Sequence, residues 1–300
     1  MPRDNGIHPE LQRIARFLPR TAVGPRTLRL MRALTSLPIV GGVKDVEVLT
    51  LTSGRGIRLH RPPGQDGPSP ALLWIHGGGY LFLTAEYNDD LCRRFSRTLG
   101  ITVGAPEYRH APEHPYPAAL EDCYAALKWL TSLPGVDPMR VAVGGESAGG
   151  GLAAALAFLA RDRGEITPAL QLLSYPMLDD RTVSKDSGRR SYRLWNERSN
   201  RFGWKSYLGG ADPDIAVPAR RTDLAGLPPA WIGVGTADLF CDEDIAYAER
   251  LRDAGVPCHL EVVPGGFHGF DRVAFRASVA RAYFDSQCQA LRGALRTAAP

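Results

Sequence analysis

One serine lies in a setting that would make it a nucleophile. Ser147 is the centre of the run Gly-Glu-Ser-Ala-Gly at residues 145–149. An apolar run at 141–144 precedes it and an Ala/Leu-rich stretch follows, so the pattern predicts a strand, a tight turn and a helix. Glycine is required on both sides of the serine because such a turn is strained and packs against neighbouring backbone. The hydroxyl is then presented at the start of the helix, where we expect it to attack a carbonyl carbon.

A histidine must accept the proton of this serine, which is a weak nucleophile at neutral pH. In enzymes with this strand–turn–helix motif, the chain order is serine, acid, histidine. Of the seven histidines, His259 and His268 follow every candidate acid. His259 falls inside a predicted strand, whereas His268 lies in the glycine-containing loop after it and can reach the strand ends. We therefore predict His268 as the base and keep His259 as the alternative.

The histidine in turn needs a carboxylate to orient it. Asp238 follows the predicted strand 230–235 after two loop residues, which places it at a strand end. The acids at 242–244 come next and are typical of a first helical turn, where negative charge favours the helix dipole. Asp179 and Asp180 follow the preceding predicted strand, and their loop can also reach the histidine. We predict Asp238 as the acid, with Asp179 and Asp180 as its competitors.

Three consecutive glycines indicate how the negative charge of a tetrahedral intermediate is stabilised. Gly77, Gly78 and Gly79 directly follow an apolar strand pattern and His76. Glycine lets the backbone turn its N–H groups outward, and each N–H aimed at an oxyanion contributes roughly 3 kcal/mol. The N–H of Ala148 adds another donor. We predict an oxyanion hole here, with His76 as a loop-holding residue. Which two of the glycines donate stays open, and a flexible turn before a helix is the alternative.

The elements that position these residues alternate along the chain. Short apolar or β-branched runs alternate with helical periodicity, which is typical of a largely parallel sheet flanked by helices. The predicted strands are 46–51, 57–61, 71–75, 102–106, 141–144, 170–175, 230–235 and 259–263, the first two forming a hairpin. The predicted helices are 87–99, 117–133, 148–163, 243–254 and 275–292. The fold class is therefore α/β, with sites at the C-terminal ends of eight strands.

Two segments do not fit this alternation. Residues 1–42 are arginine-rich with helical character, and residues 180–222 are rich in Ser, Arg, Trp and Tyr. The second segment lies between two predicted strands, so it leaves the sheet and returns over a strand-end crevice. We predict that both form a helical cap on one catalytic domain, residues 43–300. The aromatic residues Tyr192, Trp195, Phe202 and Trp204 either line the substrate pocket or anchor the cap to the sheet.

Composition excludes several classes of function. The net charge of +4 comes from 36 basic and 32 acidic residues. The basic residues are mostly arginine, and we expect them to be spread along the chain. No nucleic-acid partner is therefore predicted. The five cysteines are odd in number and scattered, so we expect no metal and no cofactor. No apolar run approaches the roughly 20 residues of a membrane span, and no leader pattern opens the chain. A cytoplasmic location is therefore expected.

Together these motifs resemble the hormone-sensitive-lipase-like family of α/β-hydrolases, the bacterial esterases with H-G-G-G and G-D/E-S-A-G. Residues 76–79 and 145–149 match those motifs, and 108–119 resemble the family's Y-R-L-A-P-E-x-P-F-P-A-A stretch. Asp238 and His268 fall at the family's acid and base. Glu146 replaces the commoner aspartate, His110 replaces a leucine, and the proline usual after the acid is absent. The resemblance implies the α/β-hydrolase fold, with a cap formed by the N-terminal helices and residues near 185–215.

The predicted function is that of a serine carboxylesterase acting on small-molecule esters through an acyl-enzyme intermediate. The resemblance implies short to medium acyl chains, roughly two to eight carbons, in a compact pocket. An amide or N-acetyl hydrolase on the same residues is the alternative, because only the leaving group differs. A catalytically idle small-molecule binding protein is a third hypothesis, which a complete set of catalytic residues disfavours. A homodimer is left open.

Overall fold

The described residues surround one central sheet. The computed structural model describes residues 6–20, 23–35, 37, 43, 46–64, 67–183 and 192–297. They form an eight-stranded sheet in the order β1-β2-β4-β3-β5-β6-β7-β8. The strands are β1 (Glu47–Thr50), β2 (Gly56–His60), β3 (Ser69–Ile75), β4 (Thr102–Pro106), β5 (Val136–Glu146), β6 (Gln171–Ser174), β7 (Ala230–Gly235) and β8 (Cys258–Val263). The strand β2 is antiparallel to β1 and β4, and the other pairs are parallel, which confirms the predicted fold class.

Helices cover both faces of the sheet. They are α1 (Gln12–Ala15), α2 (Leu28–Thr35), α3 (Asp89–Leu99), α4 (Ala118–Ser132), α5 (Ala148–Arg163), α6 (Glu197–Leu208), α7 (Pro213–Ala216), α8 (Cys241–Asp253), α9 (Phe270–Val273) and α10 (Ser278–Thr297). Buried side chains of α4, α5 and α8 pack in one apolar core, and those of α3 and α10 pack in a second core. Among the described helices, none is long and apolar enough to cross a membrane.

The strand β3 shows how the sheet separates these two cores. Leu73 and Ile75 belong to the core with α5, whereas Leu72 and Trp74 belong to the core with α10. Successive side chains of a strand point to opposite faces, so an uninterrupted apolar run fills both cores. The strand is parallel to β5, and Ile75 is in register with Gly145. The glycine loop after β3 and the serine turn after β5 therefore emerge side by side.

Two helices of the second predicted cap segment are absent from the sequence predictions. The helix α6 begins after Asn196, whose side chain accepts a hydrogen bond from the N–H of Ser199, and α7 follows it. In the first predicted segment, α1 and α2 confirm the helical character. Parts of both predicted segments, residues 1–5, 21–22, 36, 38–42 and 184–191, lie outside the described residues. The boundaries of the predicted cap and catalytic domains stay a prediction.

Candidate active site

Ser147 occupies the tight turn between β5 and α5. Its backbone has φ 55° and ψ −122°, a strained conformation for a residue with a side chain. A Cβ atom on Gly145 would lie 2.4 Å from the carbonyl oxygen of Gly149, and one on Gly149 would lie 2.1 Å from that of Ile75. Both glycines of the predicted motif are therefore required by close approach of backbone. The hydroxyl stands at the N-terminus of α5, as the sequence predicts.

His268 lies between this hydroxyl and a carboxylate. Its Nε2 is 2.9 Å from Ser147 Oγ, and its Nδ1 is 2.8 Å from Asp238 Oδ2. The N–H of Phe240 donates to the other oxygen of Asp238 at 3.1 Å, which fixes the carboxylate. All three members of the line are buried. If the Nδ1 proton is directed at Asp238, the unprotonated Nε2 faces the serine and can accept its proton.

The alternative base and acids lie elsewhere. His259 has a 61% exposed side chain and approaches Glu261, at 3.4 Å, on the same strand. The carboxylate of Asp179 is paired with Arg181, and that of Asp180 with Arg220. The structure thus brings the predicted serine, base and acid together and leaves the competing residues in separate ion pairs.

The acids at 242–244 occupy the first turn of α8, as predicted, but two of them are not on the surface. Glu243 is buried and accepts the N–H groups of Leu178 and Asp179 at 2.7 and 3.2 Å. Asp244 is fully buried, and burial raises its pKa well above the ordinary value. Glu243 therefore ties the loop after β6 to α8, in addition to any interaction with the helix dipole.

The glycine loop after β3 reverses direction beside the serine. Gly78 and Gly79 have φ values of 105° and 60°, which favour glycine. A Cβ atom on Gly78 would lie 1.9 Å from the carbonyl oxygen of Phe82. Within the described parts of the chain, the N–H groups of Gly77, Gly78 and Gly79 donate no hydrogen bond. These donors are therefore available to a ligand.

His76 and Tyr108 hold the base of this loop. The Tyr108 hydroxyl lies 3.0 Å from the carbonyl oxygens of both His76 and Gly77, and its ring stacks on His76 at 4.2 Å. His76 Nδ1 lies 2.9 Å from the Gly77 oxygen. Burial lowers the pKa of His76 to about 3, so its ring is neutral at physiological pH. These contacts fit a loop-holding residue, since the two ring nitrogens of His76 face the Gly77 oxygen and Glu107.

A cavity of about 510 Å³ opens over Ser147. Its walls are mostly apolar, and they come from the sheet loops and from both predicted cap segments. They include Pro19, Val23, Leu30, Met31, Phe82, Leu83, Tyr87, Tyr175, Leu194, Trp195 and Arg272. The two cap segments also bond to each other, since the N–H of Val23 donates to Ser199 Oγ at 2.8 Å and Leu194 donates to the oxygen of Pro19. The cavity is therefore enclosed by segments distant in sequence.

Two of the predicted aromatic residues, Trp195 and Trp204, have different roles, one in lining the pocket and the other in anchoring the cap. Trp195 lines the cavity, and its ring fills the space where a side chain on Gly79 would lie. Trp204 does not line the cavity, and its ring packs against Tyr80 and Tyr207 instead. Trp195 is thus a wall of the pocket, and Trp204 anchors α6 to the sheet domain.

Comparison with known proteins agrees with this geometry. A protein family with the alpha/beta hydrolase fold matches residues 72–272. Esterase LipI of Mycobacterium tuberculosis is 35% identical over 277 residues, which cover 89% of this chain and 82% of LipI. The chain belongs to the hormone-sensitive-lipase-like family of α/β-hydrolases. The predicted resemblance is confirmed.

Two further relatives show what this α/β-hydrolase family contains. A solved bacterial heroin esterase is 38% identical, with a TM-score of 0.86 over 97% of this chain and 98% of that chain. The gibberellin receptor GID1 of rice is 35% identical over 214 residues, covering 65% of this chain and 59% of the receptor. The esterase relatives confirm the predicted class of enzyme, a carboxylic-ester hydrolase, and the family also includes a receptor.

A largely buried polar network beside the nucleophile is not predicted from the sequence. Glu146, the departure from the family's usual aspartate, is buried and accepts a hydrogen bond from Asn88 Nδ2 at 3.0 Å. Arg272 Nε lies 3.5 Å from its other oxygen. The Tyr175 hydroxyl donates to Asp271 at 2.8 Å and lies 3.4 Å from Glu146. The only sequence evidence for this network was the position of Glu146 inside the serine motif, because its partners lie far away in sequence.

Asp271 gives this network a measurable pH dependence. Desolvation by burial raises its pKa from 3.8 to about 6, and the charge of Glu146 adds to the effect. The folded state therefore keeps a proton that the unfolded state loses, so stability falls as pH rises from about 4 to about 6. An asparagine side chain in its place would stay neutral and still accept from Tyr175. We therefore expect the free energy of unfolding of Asp271→Asn to rise relative to that of the wild type across that window, by on the order of 2 kcal/mol.

Urea unfolding of both proteins at several pH values between about 4 and 8 measures this difference in free energy. The difference in unfolding free energy between Asp271→Asn and the wild type should increase up to a pH of about 6 and stay constant above it. Asp253→Asn, at an exposed residue of α8, is the matched control and should show no such widening. A gap for Asp271→Asn that is flat or narrows with rising pH would contradict the assignment.

Proposed function

We propose that the chain hydrolyses carboxylic esters through an acyl-enzyme intermediate on Ser147. The observation that carries this proposal is the line from Ser147 through His268 to Asp238, with distances of 2.9 and 2.8 Å. His268 Nε2 takes the serine proton as Oγ attacks the ester carbonyl, and Asp238 stabilises the imidazolium that forms. The same proton passes to the departing alkoxide, which leaves as the alcohol. Water then attacks the acyl group with His268 as base, and the carboxylic acid is released.

The oxyanion of each tetrahedral intermediate is assigned to the N–H groups of Gly78, Gly79 and Ala148. Gly78 and Gly79 form the reversal of the loop in a conformation that favours glycine, and their N–H groups are uncommitted within the described residues. Ala148 opens α5, so its N–H is one of the groups that a helix leaves without an internal partner. Donors held in place before the reaction need no reorganisation during it, which is the source of their effect on rate.

The cavity supports a small, largely apolar substrate. Its volume of about 510 Å³ and its walls of aliphatic and aromatic side chains are suited to a short or medium acyl chain. The charged groups at its wall, Glu146 and Arg272, are paired with each other. An acyl chain therefore meets apolar surface, and the cap segments set the depth of the pocket.

The dependence of activity on acyl length tests this function directly. For p-nitrophenyl esters, each added methylene that the pocket accommodates should raise kcat/KM by roughly fourfold, because its burial contributes about 0.8 kcal/mol. Beyond roughly eight carbons we expect kcat/KM to fall sharply. Trp195→Phe enlarges the pocket and should move the optimum to longer chains. Phe202→Leu, at a residue that packs against the core and lines no part of the cavity, should leave the optimum unchanged.

N-acetylated amines assayed beside the esters separate ester from amide hydrolysis. The proposal expects turnover of the activated esters to exceed that of the amides, with Ser147→Ala silent on both. Faster turnover of the amides would assign the chain to the amide reaction on the same residues. Higher activity on long-chain triglycerides than on butyryl or hexanoyl esters would show a long open groove and overturn the short-chain assignment.

A further inference from the structure

The helix α2 carries apolar side chains on its outer side. Leu28 is buried, whereas Leu30 and Leu34 have exposed fractions of 62% and 56%. These two leucines are four residues apart, so they lie on one side of the helix. Leu37, just beyond the end of α2, is 64% exposed. Clustered exposed leucines are uncommon on a soluble protein and mark an interaction surface.

One of these exposed leucines reaches the active-site cavity. Leu30 itself lines the cavity. Val273, another lining residue, also borders a shallow surface groove that contains Phe17 and Phe275. Both phenylalanines are exposed, Phe17 by 84% and Phe275 by 55%. Exposed apolar groups therefore flank the cavity mouth on two sides, and we call this set, Phe17, Leu30, Leu34, Leu37 and Phe275, the apolar rim.

Positive charge is concentrated in the same segment. The first 42 residues contain seven arginines and two acids, whereas the other 258 contain 29 basic and 30 acidic residues. Arginines occur along the whole chain, as expected, but the net positive charge comes from this segment. Arg13, Arg16, Arg26 and Arg29 are exposed. Arg32 instead turns inward to Glu113, with an ion-pair distance of 2.8 Å.

We propose that the apolar rim and these arginines dock on an anionic phospholipid bilayer, with the cavity mouth against the lipid. Short amphipathic helices with arginine beside exposed leucine and phenylalanine bind in this way, with the apolar groups in the headgroup boundary and the charges on anionic lipid. Apolar contact alone would not need the arginines. A polyanion such as nucleic acid would not need Phe17 or Leu34. The combination selects a surface that is both anionic and apolar.

Cosedimentation with vesicles of phosphatidylcholine, with and without phosphatidylglycerol, tests the proposal. We expect at least about tenfold stronger binding to the anionic vesicles, weakened by salt. The double variant Phe17→Ser, Leu34→Ser should lose at least about tenfold of that binding. Neither residue lines the cavity, so hydrolysis of a water-soluble ester should be unchanged. The control variant is Met139→Ser. Met139 is 66% exposed and lies toward the end of β5 opposite to Ser147, so this variant should bind like the wild type.

A charge-matched pair completes the test. Arg29→Gln should weaken binding by about fivefold. Arg97→Gln, in the last turn of α3, should leave binding unchanged. Equal binding to both kinds of vesicle, or variants that bind like the wild type, would overturn the proposal. So would a wild-type dimer that the double variant converts to monomer, because the rim would then belong to a second copy. Soluble-ester activity is measured separately, so failure of docking leaves the proposed esterase function intact.

Discussion

Replacing Ser147 with alanine should lower kcat for a short activated ester by about 10⁴-fold or more, because the proposed acyl-enzyme forms on the Ser147 hydroxyl. The fold should persist. The hydroxyl bonds to His268, and alanine at φ 55° strains the turn no more than serine does. Steady-state kinetics measure the loss, and thermal unfolding checks the fold. A fluorophosphonate probe should add its mass to the wild type and not to the variant.

Ser174→Ala is the matched control for this experiment. Ser174 is a buried serine at the end of the neighbouring strand β6, and its hydroxyl is bonded to Tyr283 and Gln287 rather than to His268. This variant should keep kcat within about tenfold of the wild type and still react with the probe. Turnover by Ser147→Ala within tenfold of the wild type would show that Ser147 is not the nucleophile.

The proposed catalytic line of Ser147, His268 and Asp238 was accessible from the sequence because each member belongs to a local pattern. Ser147 sits in a turn whose glycines are dictated by backbone contact, and Asp238 and His268 follow strands that end at one edge of the sheet. Parallel strands bring their C-terminal ends together, so the position of each residue along its own strand predicts a meeting point. The sequence favoured Asp238 as the acid but kept Asp179 and Asp180 as competitors, and the structure shows both competitors in ion pairs with arginine.

The network around Glu146 was not accessible in the same way. Asn88, Arg272 and Asp271 belong to other elements, and no periodicity relates them to the serine motif. The long strand β5 was also underestimated, because its polar beginning hides the pattern before residue 141. Contacts between distant elements are created by packing, whereas local patterns report only on their own strand or helix.

The helix α6 shows how packing overrides local propensity. Gly203 in its middle weakens the helical pattern, so the sequence alone does not indicate a helix. A Cβ atom at this position would lie 3.0 Å from the carbonyl oxygen of Gly79. Trp204 and Tyr207 then pack on Tyr80, whose ring stacks on Tyr207 at 4.0 Å. The residue that weakens the helix is thus the one that lets it approach the glycine loop.

Replacing Asp238 with asparagine should lower kcat by on the order of 10⁴. Asparagine keeps an oxygen for the N–H of Phe240, but it loses the negative charge that stabilises the imidazolium of His268. Its amide also donates hydrogen bonds, which favours the tautomer of His268 with its proton on the nitrogen that faces the serine. The measurement is kcat for a short ester, with thermal unfolding to confirm that the variant is folded.

Asp179→Asn and Asp180→Asn discriminate this role from a general loss of negative charge. Both acids are partly buried and paired with arginine, so their removal disturbs ion pairs of the loop after β6 and leaves the hydrogen bond from His268 to Asp238 intact. We expect each to keep kcat within about tenfold of the wild type while lowering stability by roughly 1 kcal/mol. A larger loss of kcat in either variant than in Asp238→Asn would move the acid to that loop. We expect Asp238→Asn to lose more kcat than either of these variants, because His268 Nδ1 lies 2.8 Å from Asp238.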